Sequence, residues 1–380
     1  MSAVIAGFAR TPFTRFSGAL ARISAVELGA HAIRAALAHA GVPADAVQRV
    51  VAGQVLQGLA GQNPARQAAV AAGIPLGAPA TTINAVCLSG LEAVASGAAL
   101  IESGRADIVV AAGMESMSLA PHAWHGRTGT RYGAIEALDT LEHDGLTDAF
   151  EHRSMGASTE DGNTELGLDR AGQDAWAARS HRLAAASRDF LAGEIAPITV
   201  RDRIVDTDDG VRPDTTVATL AGLRPAFAAG GSITAGNSSP ITDGAAALVL
   251  MSTAAAAVHG VTPMARIAAT AMVAGPDVRL HRQPAYAVHA ALARLGAAPS
   301  DLGRIEINEA FAAVAVAAVD ALGTDPAIVN VHGGAIALGH PIGASGARIV
   351  GTLARGFTGL GAAAICGGGG QGSALILEAV

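Results

Sequence analysis

The sequence predicts an α/β protein assembled from two similar halves with a polar segment between them. Short β-rich runs alternate with Ala-rich helical runs over the first 118 residues, which implies a largely parallel sheet. The same order of runs returns near the C-terminus, as expected of an internal duplication. A chain of 380 residues with 51% hydrophobic content can cover a large core. With aromatics at only 3% and 47 glycines, that core must be built from small side chains and closely approaching backbones.

In chain order, AVIAGFA reads as a strand and AVELGAHAIRAALAHAG as a helix. RVVAGQVLQG is again a strand, and NPARQAAVAAG a second helix. The stretch TTINAVCLSGLEAVASGAALIESGRADIVVAAGMESM gives a strand, a glycine turn, a helix and an apolar strand. AIVNVHGGAIALGHPIGASGARIVGTLA, followed by GAAAICGGGGQGSALILEAV, has the same order, and the two cysteines are expected at corresponding places in the halves. Between the halves, GRTGTRYG, EHDGLTD and RDRIVDTDDGVRPD read as loops. The expected organisation is an N-terminal half over residues 1–118 with 239–260, an inserted substrate-binding loop domain over 119–238, and a C-terminal half over 261–380.

A net charge of −7 argues against nucleic-acid or anionic-membrane partners, which require a dense basic footprint. The chain holds no lysine, so Schiff-base chemistry, pyridoxal phosphate attachment and the phosphate-loop lysine are all excluded. Cys87 and Cys366 are the only cysteines; they lie too far apart for a metal knuckle and are expected as free thiols, with no metal site. The N-terminus runs straight into a strand-like segment, and no apolar stretch reaches spanning length, so a cytoplasmic enzyme is expected.

Three residues invite chemistry. Cys87, in NAVCLSG, precedes a helix whose macrodipole and unpaired amides favour a thiolate, although a buried structural cysteine is the commoner fate of the residue type. His340, in GGAIALGHPIGASGAR, sits on a glycine- and proline-bounded loop just before a helix, where an imidazole can take a proton from a thiol. Cys366, in AICGGGGQG, ends an apolar strand at a run of four glycines whose amides suit an oxyanion or a phosphate. Asn308 and Glu309, in NEAFA, open an apolar helix; the default for Asn308 is an N-cap, its alternative the orientation of a water or oxyanion. Ser238 and Ser239, ahead of a buried strand, form a polar turn or line a ligand channel.

NAVCLSG, GMESMS, NEAFA, GHPIGASGAR and CGGGGQG, in this order, resemble the signature segments of the thiolases, and ARTPF, GQNPARQAA, DGLTDAF, LRPAF and TAGNSSPITDGAA extend the resemblance almost end to end. It implies the layered αβαβα thiolase fold and a reversible Claisen condensation of acyl-CoA through an acyl-enzyme. By the same resemblance Cys87 is the acylated nucleophile, His340 its base, and Cys366 the acid/base at the substrate α-carbon. Asn308, through a water, and His340 would form one oxyanion hole; the amides of Cys87 and Gly368 would form the other. Coenzyme A, a substrate and not a cofactor, would run past Leu146, Met155, Arg212, Phe227, Ser239 and Phe311.

DGLTDAF and the loop from Arg127 to Arg131 lean toward acetyl-CoA acetyltransferase, with a 3-ketoacyl-CoA thiolase of longer chains as the alternative, and a homodimer or homotetramer is implied. A non-catalytic acyl-CoA-binding relative would have lost Cys87 or His340, and a decarboxylating synthase would carry histidine in place of Cys366. Two departures from the family pattern bear on acyl specificity: Ser154, where biosynthetic members carry histidine, and Leu280–Gln283, where many relatives have methionine and glycines.

Overall fold

The computed structural model describes residues 2–380. The first elements are β1 (Ala3–Arg10), α1 (Ala25–Ala40), β2 (Arg49–Gly53), α2 (Pro64–Ala71), β3 (Ala80–Ile83), α3 (Ser89–Glu102) and β4 (Ile108–Glu115). The intervening segment holds α4 (Met155–Glu165) and α5 (Arg170–Ala186) as well as loops. There follow β5 (Thr242–Ser252), β6 (Ala265–Ala274), α6 (Gln283–Ala293), β7 (Leu302–Ile307), α7 (Ala312–Leu322), α8 (Ser345–Ala354), β8 (Leu360–Gly367) and β9 (Gln371–Glu378).

Local signals explain the boundaries. Ser24 and Glu27 cap α1 reciprocally, and Gly41 ends it in the left-handed conformation that glycine adopts without strain. Asn63 caps α2 with Pro64 in its first turn, and Asp169 caps α5. The helix after NEAFA begins only at Ala312, so Asn308 is not its cap. Phe311 is extended and bridges Ser238, and the Ala312 amide donates to the Asn237 carbonyl, which frees the Asn308 side chain for the site.

The strands form one sheet in the order β7-β8-β9-β6-β1-β5-β4-β2-β3. Its halves meet where β1 pairs briefly with β6, at Val4 with Arg266 and Ile5 with Ala265. Counting outward from that seam, the first half runs β1, β5, β4, β2, β3; the second runs β6, β9, β8, β7 and ends in a bridge between Ile305 and Val329. The topology is thus the same on both sides, but the expected pairing of the cysteines is not. Cys87 stands in the turn before α3, and the turn before the equivalent helix α8 carries His340. Cys366 ends β8, whose counterpart β4 ends at Met114 and Glu115. The two cysteines therefore occupy different places in the repeat, because motif order in sequence resembles strand–helix order without fixing which junction is which.

Three apolar clusters define the layers. One packs α1 and α2, through residues such as Leu28, Ile33 and Ala68, against one face of the first half-sheet. The central one gathers Leu91 and Val94 of α3 and Ile349 and Leu353 of α8 between the inner faces of both half-sheets. The third joins α6, α7 and α5, through Val288, Ala315 and Trp176, to the outer face of the second half. Helices thus alternate with sheets in the αβαβα arrangement. Small residues make the middle layer possible: a Cβ on Gly346 would lie 2.2 Å from the Leu91 amide nitrogen, and one on Gly90 2.8 Å from that of Ala347. No described helix is long and apolar enough to cross a membrane.

Candidate active site

Cys87 sits on a strained turn. Val86, a β-branched residue, is held at φ 52°, a conformation it adopts only when its surroundings enforce it. The restraints are local: the Asn84 side chain accepts from the Val86 amide at 3.0 Å, and Ser89 Oγ accepts from the Ala85 amide at 2.9 Å while donating to the Val86 carbonyl at 2.6 Å. This turn places Cys87 two residues ahead of α3, with the backbone amides of Cys87 and Gly368 close enough to its sulfur to favour the charged form.

The helix terminus favours a thiolate, and the surroundings of Cys87 oppose it. Burial dominates and pushes the Cys87 thiol up to about 12, the two amides opposing and nearby Glu115 adding to the rise. His340 is driven the other way, down to about 3, by burial and then by Arg348. Both groups are therefore biased toward their neutral forms. Cys366 is buried and its thiol also raised, by burial and then by the neighbouring Cys87.

Second-half loops supply the rest. Ser345 Oγ, in the first turn of α8, lies 2.6 Å from His340 Nδ1 and donates its single proton to the Pro341 carbonyl at 3.0 Å. The proton of the 2.6 Å contact then belongs to Nδ1, which leaves Nε2 as the basic nitrogen. Thr242 Oγ1 accepts from the His340 amide at 3.2 Å. The Asn308 amide lies against the imidazole edge, 3.4 Å from Nε2, and its Oδ1 is buried without a partner, so it keeps an open acceptor. Gly368 belongs to the hairpin turn after β8, close to Val86 and Met155.

Of the expected coenzyme A contacts, several come together. Met155, at the start of α4, packs with Phe311 in the apolar cluster that contains Cys366. Phe227 meets Phe311 edge to face at 5.9 Å and covers Gly156. Ser239 bonds the Ala310 carbonyl beside them at 3.0 Å. Leu146 lies in the cluster on the Cys87 side, with Val55, Leu56 and Ile342. Arg212 stands apart: it is exposed, its amide donates to His181 Nδ1 at 3.2 Å, and its guanidinium has no bonded partner among the described residues. Its neighbours Val211 and Pro213 line a recess of about 260 Å³ that shares no residue with either cysteine cluster.

The two unusual segments have structural roles. Ser154 caps α4, its hydroxyl accepting from the Ala157 amide at 3.3 Å. Leu280 packs in the Cys366 cluster, and buried His281 bonds Asn163 at 2.9 Å. Sequence reasoning missed Glu115, Thr242 and Ser345; the only signal for Glu115 was a carboxylate closing the apolar run IVVAAGME. Among the described residues no group of three or more His, Cys, Asp or Glu is placed to hold a metal ion.

Comparison with known proteins decides the family. Residues 3–254 match the thiolase N-terminal domain, and residues 261–379 match the thiolase C-terminal domain. The chain belongs to the thiolase family. A probable acetyl-CoA acetyltransferase of Mycobacterium tuberculosis is 50% identical, covering 100% of this chain and 99% of its own. An acetyl-CoA acetyltransferase of Shinella zoogloeoides is 46% identical with 99% of each chain covered. The crystal structure of the Bacillus anthracis acetyl-CoA acetyltransferase superposes with a TM-score of 0.95 at 38% identity, covering 100% of this thiolase and 99% of that chain. The layered fold expected from the signature segments is thus that of a solved family member.

Proposed function

We propose that this thiolase is an acetyl-CoA acetyltransferase, condensing two acetyl-CoA into acetoacetyl-CoA and coenzyme A and running the reverse thiolysis. The observation that carries the reading is the packing of the Cys366 hairpin of one half onto the Cys87 turn of the other: a Cβ on Gly367 would lie 2.8 Å from the Leu88 side chain, and one on Gly368 3.5 Å from that of Val86. Relatives of that name at 46% to 50% identity over nearly the whole chain support it.

In the first half-reaction the Cys87 sulfur attacks the thioester carbon as its proton moves to His340 Nε2. The C–S bond to coenzyme A breaks, and the proton leaves on the departing thiol. The amides of Cys87 and Gly368 bind the developing oxyanion. In the second, the Cys366 proton passes to His340 Nε2, the Cys366 thiolate takes an α-proton from another acetyl-CoA, and the Nε2–H together with a water held by Asn308 binds the enolate oxygen. A thiol of raised pKa is the stronger base once ionised, which suits a weakly acidic C–H. The enolate then attacks the acetyl carbon, the C–C bond forms, the Cys87–acyl bond breaks, and the released sulfur takes its proton back from His340 Nε2.

Coenzyme A is a substrate in this reading, with no separate cofactor, and its pantetheine passes Leu146, Met155, Phe227, Ser239 and Phe311. Arg212 takes a phosphate or the adenine. The reading extends to a cytoplasmic location and to a homodimer or homotetramer, and it keeps 119–238 as the substrate-binding insertion between the two halves. Initial rates of thiolysis test the substrate: acetoacetyl-CoA should exceed 3-ketohexanoyl- and 3-ketooctanoyl-CoA in kcat/KM. The reverse order would make the enzyme a longer-chain 3-ketoacyl-CoA thiolase.

A further inference from the structure

Glu115 ends β4 with its side chain fully buried. Its carboxylate accepts three main-chain N–H groups: Val55 at 3.0 Å and Leu56 at 3.2 Å on one side, and Gly343 at 2.9 Å on the other. Val55 and Leu56 belong to the apolar cluster that Cys87 packs against. Gly343 lies between His340 and Ser345, in the turn whose hydroxyl holds the imidazole. One carboxylate therefore ties the wall beside the nucleophile to the loop that carries its base. The Gly343 loop has no slack for another arrangement, since a Cβ there would lie 2.7 Å from Glu115 Oε2 and 2.9 Å from the Met114 carbonyl.

None of its hydrogen-bond partners is a cation. The titratable groups facing Glu115 are Cys87 and Asp243, and Asp243 is itself held by the Ser118 amide at 2.9 Å and hydroxyl at 2.5 Å. Three amides in fixed directions can hold a carboxylate without a counter-ion, but only while both loops stay in register.

We propose that Glu115 is a positioning residue for the first half-reaction, fixing the His340 loop against the wall beside Cys87. The inference rests on the reading of Cys87 as nucleophile and His340 as its base. Burial, opposed by the three amides and reinforced by Asp243, raises the Glu115 carboxyl to about 7, so its charge changes within the range where enzymes of neutral pH operate.

The test uses the full-length enzyme and acetyl-CoA alone, following acetylation of Cys87 by quenched-flow peptide mass spectrometry across pH. In the wild type the rate should show an ionisation near 7. E115Q keeps the shape but turns an NH₂ toward amide donors; it should slow acetylation roughly 10- to 100-fold, as small misplacements of reacting groups do, with a much smaller change in KM, and should remove that ionisation. E115D, which keeps the charge, should fall between. A folded E115Q that acetylates Cys87 at the wild-type rate with the wild-type pH profile overturns the proposal, even if its Tm has dropped. If E115Q does not fold, E115D decides: a folded E115D that acetylates Cys87 at the wild-type rate, although its shorter side chain cannot reach both loops as before, overturns it. A wild type that takes no acetyl group on Cys87 overturns the site reading itself, a result distinct from an inert E115Q substitution.

Discussion

The Ser345 hydroxyl stands 2.6 Å from His340 Nδ1, and both residues are buried within the turn that begins α8. Replacing Ser345 with alanine leaves the Nδ1–H without an acceptor in a site that water reaches poorly, a cost of about 1–3 kcal/mol that the ring can escape only by turning or changing tautomer. Either escape displaces the electron pair of the base proposed for Cys87. Steady-state kinetics of S345A should show kcat reduced roughly 10- to 100-fold in both directions with KM for acetyl-CoA little altered. An unchanged kcat would mean that the imidazole is oriented by other contacts.

Arg212 carries a guanidinium with no bonded partner among the described residues, beside a histidine that burial and then its charge keep neutral. A remote phosphate contact contributes nearly equal binding to ground and transition states, so R212A should raise KM for coenzyme A more than it lowers kcat. Comparison with dephospho-CoA identifies the phosphate involved, since the two losses should not add if Arg212 binds the 3′-phosphate. A KM identical to wild type places the nucleotide elsewhere.

How much of this could be read in advance depended on how local each cause was. Helix α1, the strand–turn–helix around Cys87 and the glycine turn after Cys366 are written in neighbouring residues, and so were anticipated. Helix α5 was not, because its Trp176 and Ala177 bury against the second half while polar Gln173, Ser180 and His181 occupy other buried positions, which hides the amphipathic stripe. Glu115 was equally silent: its meaning comes from amides at positions 55, 56 and 343, far apart in sequence. The Cys87 thiolate was expected from a local helix terminus, and burial by distant segments outweighs that effect.

Four histidines, His181, His281, His332 and His340, are held below their ordinary value of 6.5, the first three to about 4 and the last to about 3, each chiefly by burial. A depressed histidine binds its proton in the unfolded chain before the folded one. Below pH 6.5 the unfolded state therefore takes up more protons, and stability falls as pH drops from about 6.5 toward 4, at up to about 1.4 kcal/mol per pH unit for each proton. Denaturant unfolding at stepped pH should show this loss. His332, stacked on Phe190 at 3.7 Å, offers a single-site check: H332F should reduce the slope in that window. A slope unchanged in H332F would show that this histidine titrates alike in both states.

The two cysteines should separate by half-reaction. Acetylation of Cys87 breaks a thioester and needs a nucleophile, a base and the amides of Cys87 and Gly368, none of which is the Cys366 side chain. Condensation also needs an α-proton removed from a second acetyl-CoA, the task proposed for Cys366. C366A should therefore keep exchange of labelled coenzyme A into acetyl-CoA, while acetoacetyl-CoA synthesis and cleavage fall by the ~10²–10⁴-fold typical of a lost acid/base group. C87A should abolish both. Cys366 is buried among Phe311, Val314 and Leu280, so removing its sulfur leaves a small cavity, and circular dichroism and Tm must accompany the rates. If folded C366A lost exchange as completely as C87A, both thiols would serve the acylation step, and the assignment of Cys366 to the α-carbon would be wrong.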